Sequence, residues 1–116
     1  MAAAAIAVAL LAGCGGASPA QPAGSTRVTL TEFKMDPGTV SVGSGKVVFY
    51  VVNAGTTSHD MIIRNSANLR VAGTGLLSAG DSVIFTIDNL PAGTYTYFCD
   101  VTGHDASGMH GTVTVT

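Results

Sequence analysis

The stretch Gly93-Thr94-Tyr95-Thr96-Tyr97-Phe98-Cys99-Asp100-Val101-Thr102-Gly103-His104-Asp105-Ala106-Ser107-Gly108-Met109-His110-Gly111-Thr112-Val113-Thr114-Val115-Thr116 decides how the chain is read. Both of its ends alternate. Tyr95, Tyr97 and Cys99 share one side of the first run; Val113 and Val115 share one side of the last, with Thr112, Thr114 and Thr116 opposite. A period of two is that of a strand with one buried face. Pro91-Ala92-Gly93 turns into the first run. Between the runs Cys99, His104 and Met109 stand at C-x4-H-x4-M, and Gly103 and Gly108 let the connecting loop bend tightly between them.

Upstream, strand-like runs separated by turn residues recur, and no sustained 3.6-residue apolar period is found after Thr26. Arg27 to Phe33 alternates with Val28 and Leu30 on one face, and Asp36-Pro37-Gly38 turns. Thr39 to Val42 is short and Gly43-Ser44-Gly45 turns again. Lys46 to Val52 is apolar on both faces, as expected of a central strand covered on both sides, and Asn53-Ala54-Gly55 ends it. Ser58 to Ile63 reads as the next strand, and Arg64 to Gly80 as loops with one short strand. Ser82 to Asp88 puts Val83, Phe85 and Ile87 together. The expected fold is all-β, an antiparallel sandwich of seven to eight strands.

The chain has 116 residues, room for one domain and too few for a two-domain enzyme. Twelve of the first 13 residues are apolar; the other 103 contain 42 apolar residues, about 41%, an ordinary globular proportion. Those 103 residues include 12 Val and 14 Thr, which favours strands. A net charge of −2 leaves no electrostatic footprint for nucleic acid.

Ala2 to Ala12 is an unbroken apolar run of 11 residues, the length of a secretory h-region and too short to span a bilayer. It ends in Leu11-Ala12-Gly13-Cys14, which resembles the lipobox of bacterial lipoproteins, in which the Cys is lipidated and becomes the new N-terminus. The alternative is ordinary export, with Cys14 free or disulfide-bonded to Cys99. Gly15 to Thr26 has no charge and no large apolar residue, the composition of a flexible tether. The expected organisation is a lipoprotein signal at 1–13, a tether at 14–26 and a folded domain at 27–116. The expected location is the outward-facing side of a bacterial membrane.

His59 lies 40 residues before Cys99, after the Asn53-Ala54-Gly55 break. With Cys99, His104 and Met109 it offers one thiolate, two imidazoles and one thioether. Soft sulfur with imidazole suits copper, and two His plus one Cys with a weak axial Met is the donor set of blue-copper electron-transfer sites. Cys99 binds as thiolate, its proton displaced by the metal. Three donors on one loop need a fourth from another element, and a neighbouring strand end can bring His59.

Three stretches resemble the cupredoxins, the small type 1 blue copper proteins: Glu32-Phe33-Lys34-Met35-Asp36-Pro37-Gly38-Thr39-Val40, Asn53-Ala54-Gly55-Thr56-Thr57-Ser58-His59-Asp60, and Gly93 to Cys99 with Gly103-His104 and Gly108-Met109-His110-Gly111-Thr112. The resemblance covers residues 27–116. It implies a Greek-key sandwich of eight strands with one copper ion at one end, held by His59, Cys99 and His104 in the equatorial plane and by Met109 axially. It further implies that His104 lies near the surface as the electron port, and that Tyr95 braces the sandwich. Two positions depart from the family pattern. Asp60 stands where Asn commonly ties the two ligand segments together, and Asp100 follows Cys99 where Ser or Thr is common. Two carboxylates meeting there would weaken the tie or raise one pKa.

The implied function is one-electron transfer by a monomer between transient redox protein partners at the membrane. Copper binding, transport or scavenging without electron transfer is the alternative, and a metal-free adhesive sandwich is a third. An enzyme is not expected. The chain has three histidines, too few for the second copper centre of a multicopper oxidase or nitrite reductase, and a dinuclear copper centre needs two loop cysteines where there is one. His110, Met35, Met61, Asp60, Asp100, Tyr97 and Phe98 are expected to serve as surface, packing or supporting groups and not as ligands.

Overall fold

The computed structural model describes residues 18–116, so the lipobox reading and the signal before it lie outside the described residues. Nine strands follow in order: β1 (Thr26–Thr31), β2 (Lys34–Asp36), β3 (Thr39–Val42), β4 (Gly45–Asn53), β5 (Ile62–Arg64), β6 (Arg70–Gly73), β7 (Ser82–Leu90), β8 (Gly93–Phe98) and β9 (His110–Val115). They form a four-stranded sheet in the order β2-β1-β4-β7 and a five-stranded sheet in the order β3-β9-β8-β5-β6. No helix occurs among the described residues.

The buried core lies between the two sheets, and alternation supplies it. Val28 and Leu30 of β1, Val47, Phe49 and Val51 of β4, and Phe85 of β7 belong to the same buried cluster as Val113 and Val115 of β9, Tyr95 and Tyr97 of β8, and Ile63 of β5. Phe49 and Phe85 are directly opposed across β4 and β7, with ring centroids 6.0 Å apart. Tyr95 donates its hydroxyl to the Pro91 carbonyl at 2.7 Å, pinning the turn into β8. Tyr97 likewise donates to the Pro37 carbonyl, tying β8 to the turn before β3.

Two features of the expected fold need correction. The sheets are mixed: β1 runs parallel to β4, and β3 runs parallel to β9. The chain crosses between sheets at Asp36-Pro37-Gly38 and again at Gly43-Ser44, so β3 and β4 each come to lie beside a strand of the same direction. Alternation records which face is buried and carries no direction. The strand count is nine because the expected run Arg27 to Phe33 ends as a strand at Thr31, Glu32-Phe33 reverses the chain, and the residues just beyond it form the three-residue β2, with Thr31 opposite Lys34. Ser58 to Ile63 is also shorter than expected: β5 begins at Ile62, and His59 contributes only an isolated bridge to Leu77.

β4 is central in its sheet, but its second face is only partly covered, with Lys46 exposed, Val48 and Val52 half-buried and Tyr50 buried. Tyr50, on the side away from the core cluster, donates its hydroxyl to the Pro19 carbonyl at 2.7 Å and lies 3.2 Å from Ser82 Oγ. Ser25 closes a turn onto Pro22 through its hydroxyl at 2.7 Å. The described end of the expected tether therefore lies against the sheet.

Candidate metal centre

The end of β4, the start of β5, the end of β8 and the start of β9 meet at one end of the sandwich. Two limbs of chain bring donor groups there.

The first limb carries His59 and leaves β4 at Asn53, which is fully buried. Asn53 Nδ2 donates to the carbonyls of Thr57 at 2.9 Å and Leu77 at 2.8 Å, and its Oδ1 accepts the Gly55 N–H at 3.0 Å. One side chain thus satisfies the Thr57 carbonyl and the Gly55 N–H and adds a second bond to the Leu77 carbonyl, and it fixes the loop that delivers the imidazole. His59 is itself locked by two backbone bonds with Leu77, at 3.1 and 2.8 Å, and it is fully buried. Glu32, at the β1–β2 reversal, reaches the same loop. Its Oε1 accepts the N–H groups of Thr56 at 2.6 Å and Thr57 at 3.0 Å, the Thr57 hydroxyl at 3.2 Å, and His59 Nε2 at 3.3 Å. The hydrogen bonds from Thr56 and Thr57 hold its carboxyl down at about 2. An ionised carboxylate only accepts, so Nε2 of neutral His59 carries the proton and Nδ1 presents a lone pair to the site.

The second limb is the loop from Cys99 to Met109. Cys99 N–H donates to the Met109 carbonyl at 3.1 Å, extending the β8–β9 ladder by one step. Inside, turn bonds stack the loop on itself: His104 N–H to the Val101 carbonyl at 3.0 Å, Gly108 N–H to Asp105 at 2.9 Å, and Met109 N–H to His104 at 3.1 Å. Gly103 at φ 83° and Gly108 at φ 110° adopt the conformations that the tight loop was expected to require. Cys99 and Met109 are fully buried, and His104 is half-buried.

The limbs meet atom to atom. His59 Nδ1 lies 3.1 Å from His104 Nδ1, Cys99 Sγ lies 3.5 Å from His104 Nδ1, and Cys99 Sγ lies 3.8 Å from His59 Nδ1. A point equidistant from the three corners of that triangle is about 2.0 Å from each, within reach of the usual metal–imidazole and metal–thiolate bond lengths of about 2.0–2.3 Å. The three donor atoms fit one metal ion without moving either limb. Burial pushes the Cys99 thiol up, which favours the protonated form until a cation competes for the sulfur.

The departures at Asp60 and Asp100 resolve in a way the sequence did not show. Asp60 Oδ1 accepts the Asp100 backbone N–H at 2.6 Å, while Asp60 is nearly buried and the Asp100 side chain is exposed. The two carboxylates do not compete, and Asp60 ties the limbs together with its charge aimed at a backbone donor. His110 is outside the cluster, exposed and 2.9 Å from Asp105 Oδ1. Met35 and Met61 are core residues. Sequence reasoning missed Glu32 and Asn53, whose partners lie up to 27 positions away, and Phe33. That ring stands edge-on to His104, centroids 5.3 Å apart, from a backbone at φ 63° that a bulky residue rarely adopts.

A family model for the cupredoxin-like domain matches residues 2–115, and the chain belongs to that family. Auracyanin-B of Chloroflexus aurantiacus is 46% identical over 46 residues, which make up 40% of this chain; the match spans 20% of that protein's length. Among solved structures, dithionite-reduced auracyanin from the photosynthetic bacterium Roseiflexus castenholzii superposes with a TM-score of 0.72 at 21% identity, over 79% of this chain and 96% of that one. Auracyanin A of Chloroflexus aurantiacus, described as a blue copper protein, superposes with a TM-score of 0.65 at 23% identity, over 78% of this chain and 99% of that one.

Proposed function

We propose that the chain is a type 1 copper protein that carries single electrons between redox partners. The convergence of His59 Nδ1, His104 Nδ1 and Cys99 Sγ on one buried point carries this reading, because two imidazoles and one thiolate in a plane form the donor set of that copper class. Membership of the cupredoxin-like family and the likeness to auracyanins support it. Met109, buried where the loop closes, would be the fourth residue to hold the ion, through its thioether.

Copper held there supplies one reversible electron. The protein's own contribution is to hold the donors still. Asn53 and Glu32 fix the His59 limb, and the β8–β9 ladder fixes Cys99. A donor set that cannot relax toward the preferred geometry of either oxidation state changes little on electron transfer. Cys99 gives up its proton on loading, and half-buried His104 provides the edge through which a partner exchanges the electron. We assign no catalytic reaction. Lipidation at Cys14 would hold the domain at the outer face of a bacterial membrane, beside its donor and acceptor.

Cu(II) added to the purified full chain should give an intense thiolate-to-copper absorption that bleaches with a reductant and returns on reoxidation. Colourless uptake, or colour without reversible cycling, would favour copper binding or transport instead. Cys99→Ala should abolish the colour and keep the fold. Cys14→Ser should release the protein from membranes, and unchanged retention would overturn the anchor.

A further inference from the structure

We propose that Glu32 is a positioning residue for the metal centre, a fixed anion hydrogen-bonded to the rear of His59 that favours the more highly charged state of a metal held on the other side of the ring. The inference rests on the metal-binding reading above and deepens it. Glu32 Oε1 lies 3.3 Å from His59 Nε2, while His59 Nδ1 faces Cys99 and His104. Carboxylate, imidazole and site are therefore in series. Such an arrangement sets the ring's orientation, raises its basicity as a ligand, and adds negative charge that stabilises a dication more than a monocation.

Three features show the contact to be built. The carboxylate cannot swing away, because the same oxygen is held by the Thr56 N–H at 2.6 Å, the Thr57 N–H at 3.0 Å and the Thr57 hydroxyl at 3.2 Å. His59 is fully buried, so no water competes at Nε2. The chain also leaves room for the pair at Gly55. A Cβ there would lie 2.6 Å from Glu32 Oε1 and 2.9 Å from His59 Nε2, so any side chain at 55 would separate them.

The test uses the full chain and Glu32→Gln, which keeps the size and an acceptor oxygen and removes only the charge. Zn(II) affinity, measured by competition with a chelator, should fall about tenfold. In copper-loaded protein the reduction potential should move to more positive values, with Cu(II) affinity falling more than Cu(I) affinity. Gly55→Ala keeps the charge and breaks the contact, and should shift the potential in the same direction. It serves as the second variant if Glu32→Gln folds poorly. A wild-type chain that takes up neither metal would sink the metal-binding reading itself. Wild-type binding with an unmoved potential and unmoved Zn(II) affinity in both variants would overturn the role of Glu32 alone.

Discussion

The two limbs that meet at the site are built on different physics. The His59 limb is held by side chains: Asn53 binds three backbone groups, Glu32 binds Thr56, Thr57 and His59, and Asp60 binds the far limb. Its imidazole has no exposed surface. The Cys99–Met109 limb is held by its own backbone, through turn bonds and glycines at positive φ, and much of it faces solvent. The His59 limb, exposed at Ala54, Thr56, Thr57 and Ser58 but buried at Asn53, His59 and Asp60, fixes where the site is. The Cys99–Met109 limb closes it and leaves His104 half-buried. An electron carrier needs both properties: an unyielding donor set for low reorganisation, and a ligand edge that a partner can approach.

Substitutions that remove one limb's support should therefore differ in size. The largest effect is expected at Asn53. Asn53→Ala leaves the Thr57 carbonyl and the Gly55 N–H without their partner, removes the second of two bonds at the Leu77 carbonyl, and should cost about 3 kcal/mol, read from the urea midpoint with an unchanged slope. A cost below about 1 kcal/mol would mean that the loop holds itself without that side chain. Asp60→Ala comes next. It removes the charge-assisted bond to the Asp100 N–H and should cost about 2 kcal/mol, and Asp60→Asn should recover part of that because it restores an acceptor. On the other limb, Gly103→Ala meets no neighbouring atom and pays only for its φ of 83°, so about 1 kcal/mol is expected in the same urea titration.

The smallest effect is confined to acid. Folding lowers the Glu32 carboxyl from 4.5 to about 2, so the native state favours its ionised form. That contribution is complete above pH 4.5 and is lost as pH falls toward 2. The acid limb of the stability curve should be steeper in the wild type than in Glu32→Gln over that window. Parallel curves would show that the carboxylate is not held as the geometry implies.

The difference between the limbs also explains what the sequence made legible. The spacing of Cys99, His104 and Met109 is local, and both the donor loop and its two bending glycines were readable from it. His59 was found because a turn signal precedes it and because the donor set needed a fourth member. Asn53 and Glu32 left no such sign. One reads as a strand-ending turn residue and the other as the polar end of an alternating strand; Glu32 meets Thr56, Thr57 and His59 only once β1 and β4 pair in parallel, and Asn53 meets Leu77 only once the chain before β7 returns beside β4. β2 was hidden for a local reason: it is three residues long and pairs with β1 only because Glu32-Phe33 reverses the chain. Asp60 and Asp100 looked like a clash of charges because a sequence shows side chains and not which backbone N–H they will find.

Electron carriage at this site requires three donors from two remote limbs to hold one metal ion. X-ray absorption at the metal edge of full-length chain loaded with one equivalent of Cu(II) tests that directly. The expected ligand set is two imidazole nitrogens and one short thiolate sulfur, with the sulfur lost in Cys99→Ala and one imidazole lost in His59→Ala. A spectrum of oxygen and nitrogen ligands without sulfur, unchanged by either substitution, would contradict it.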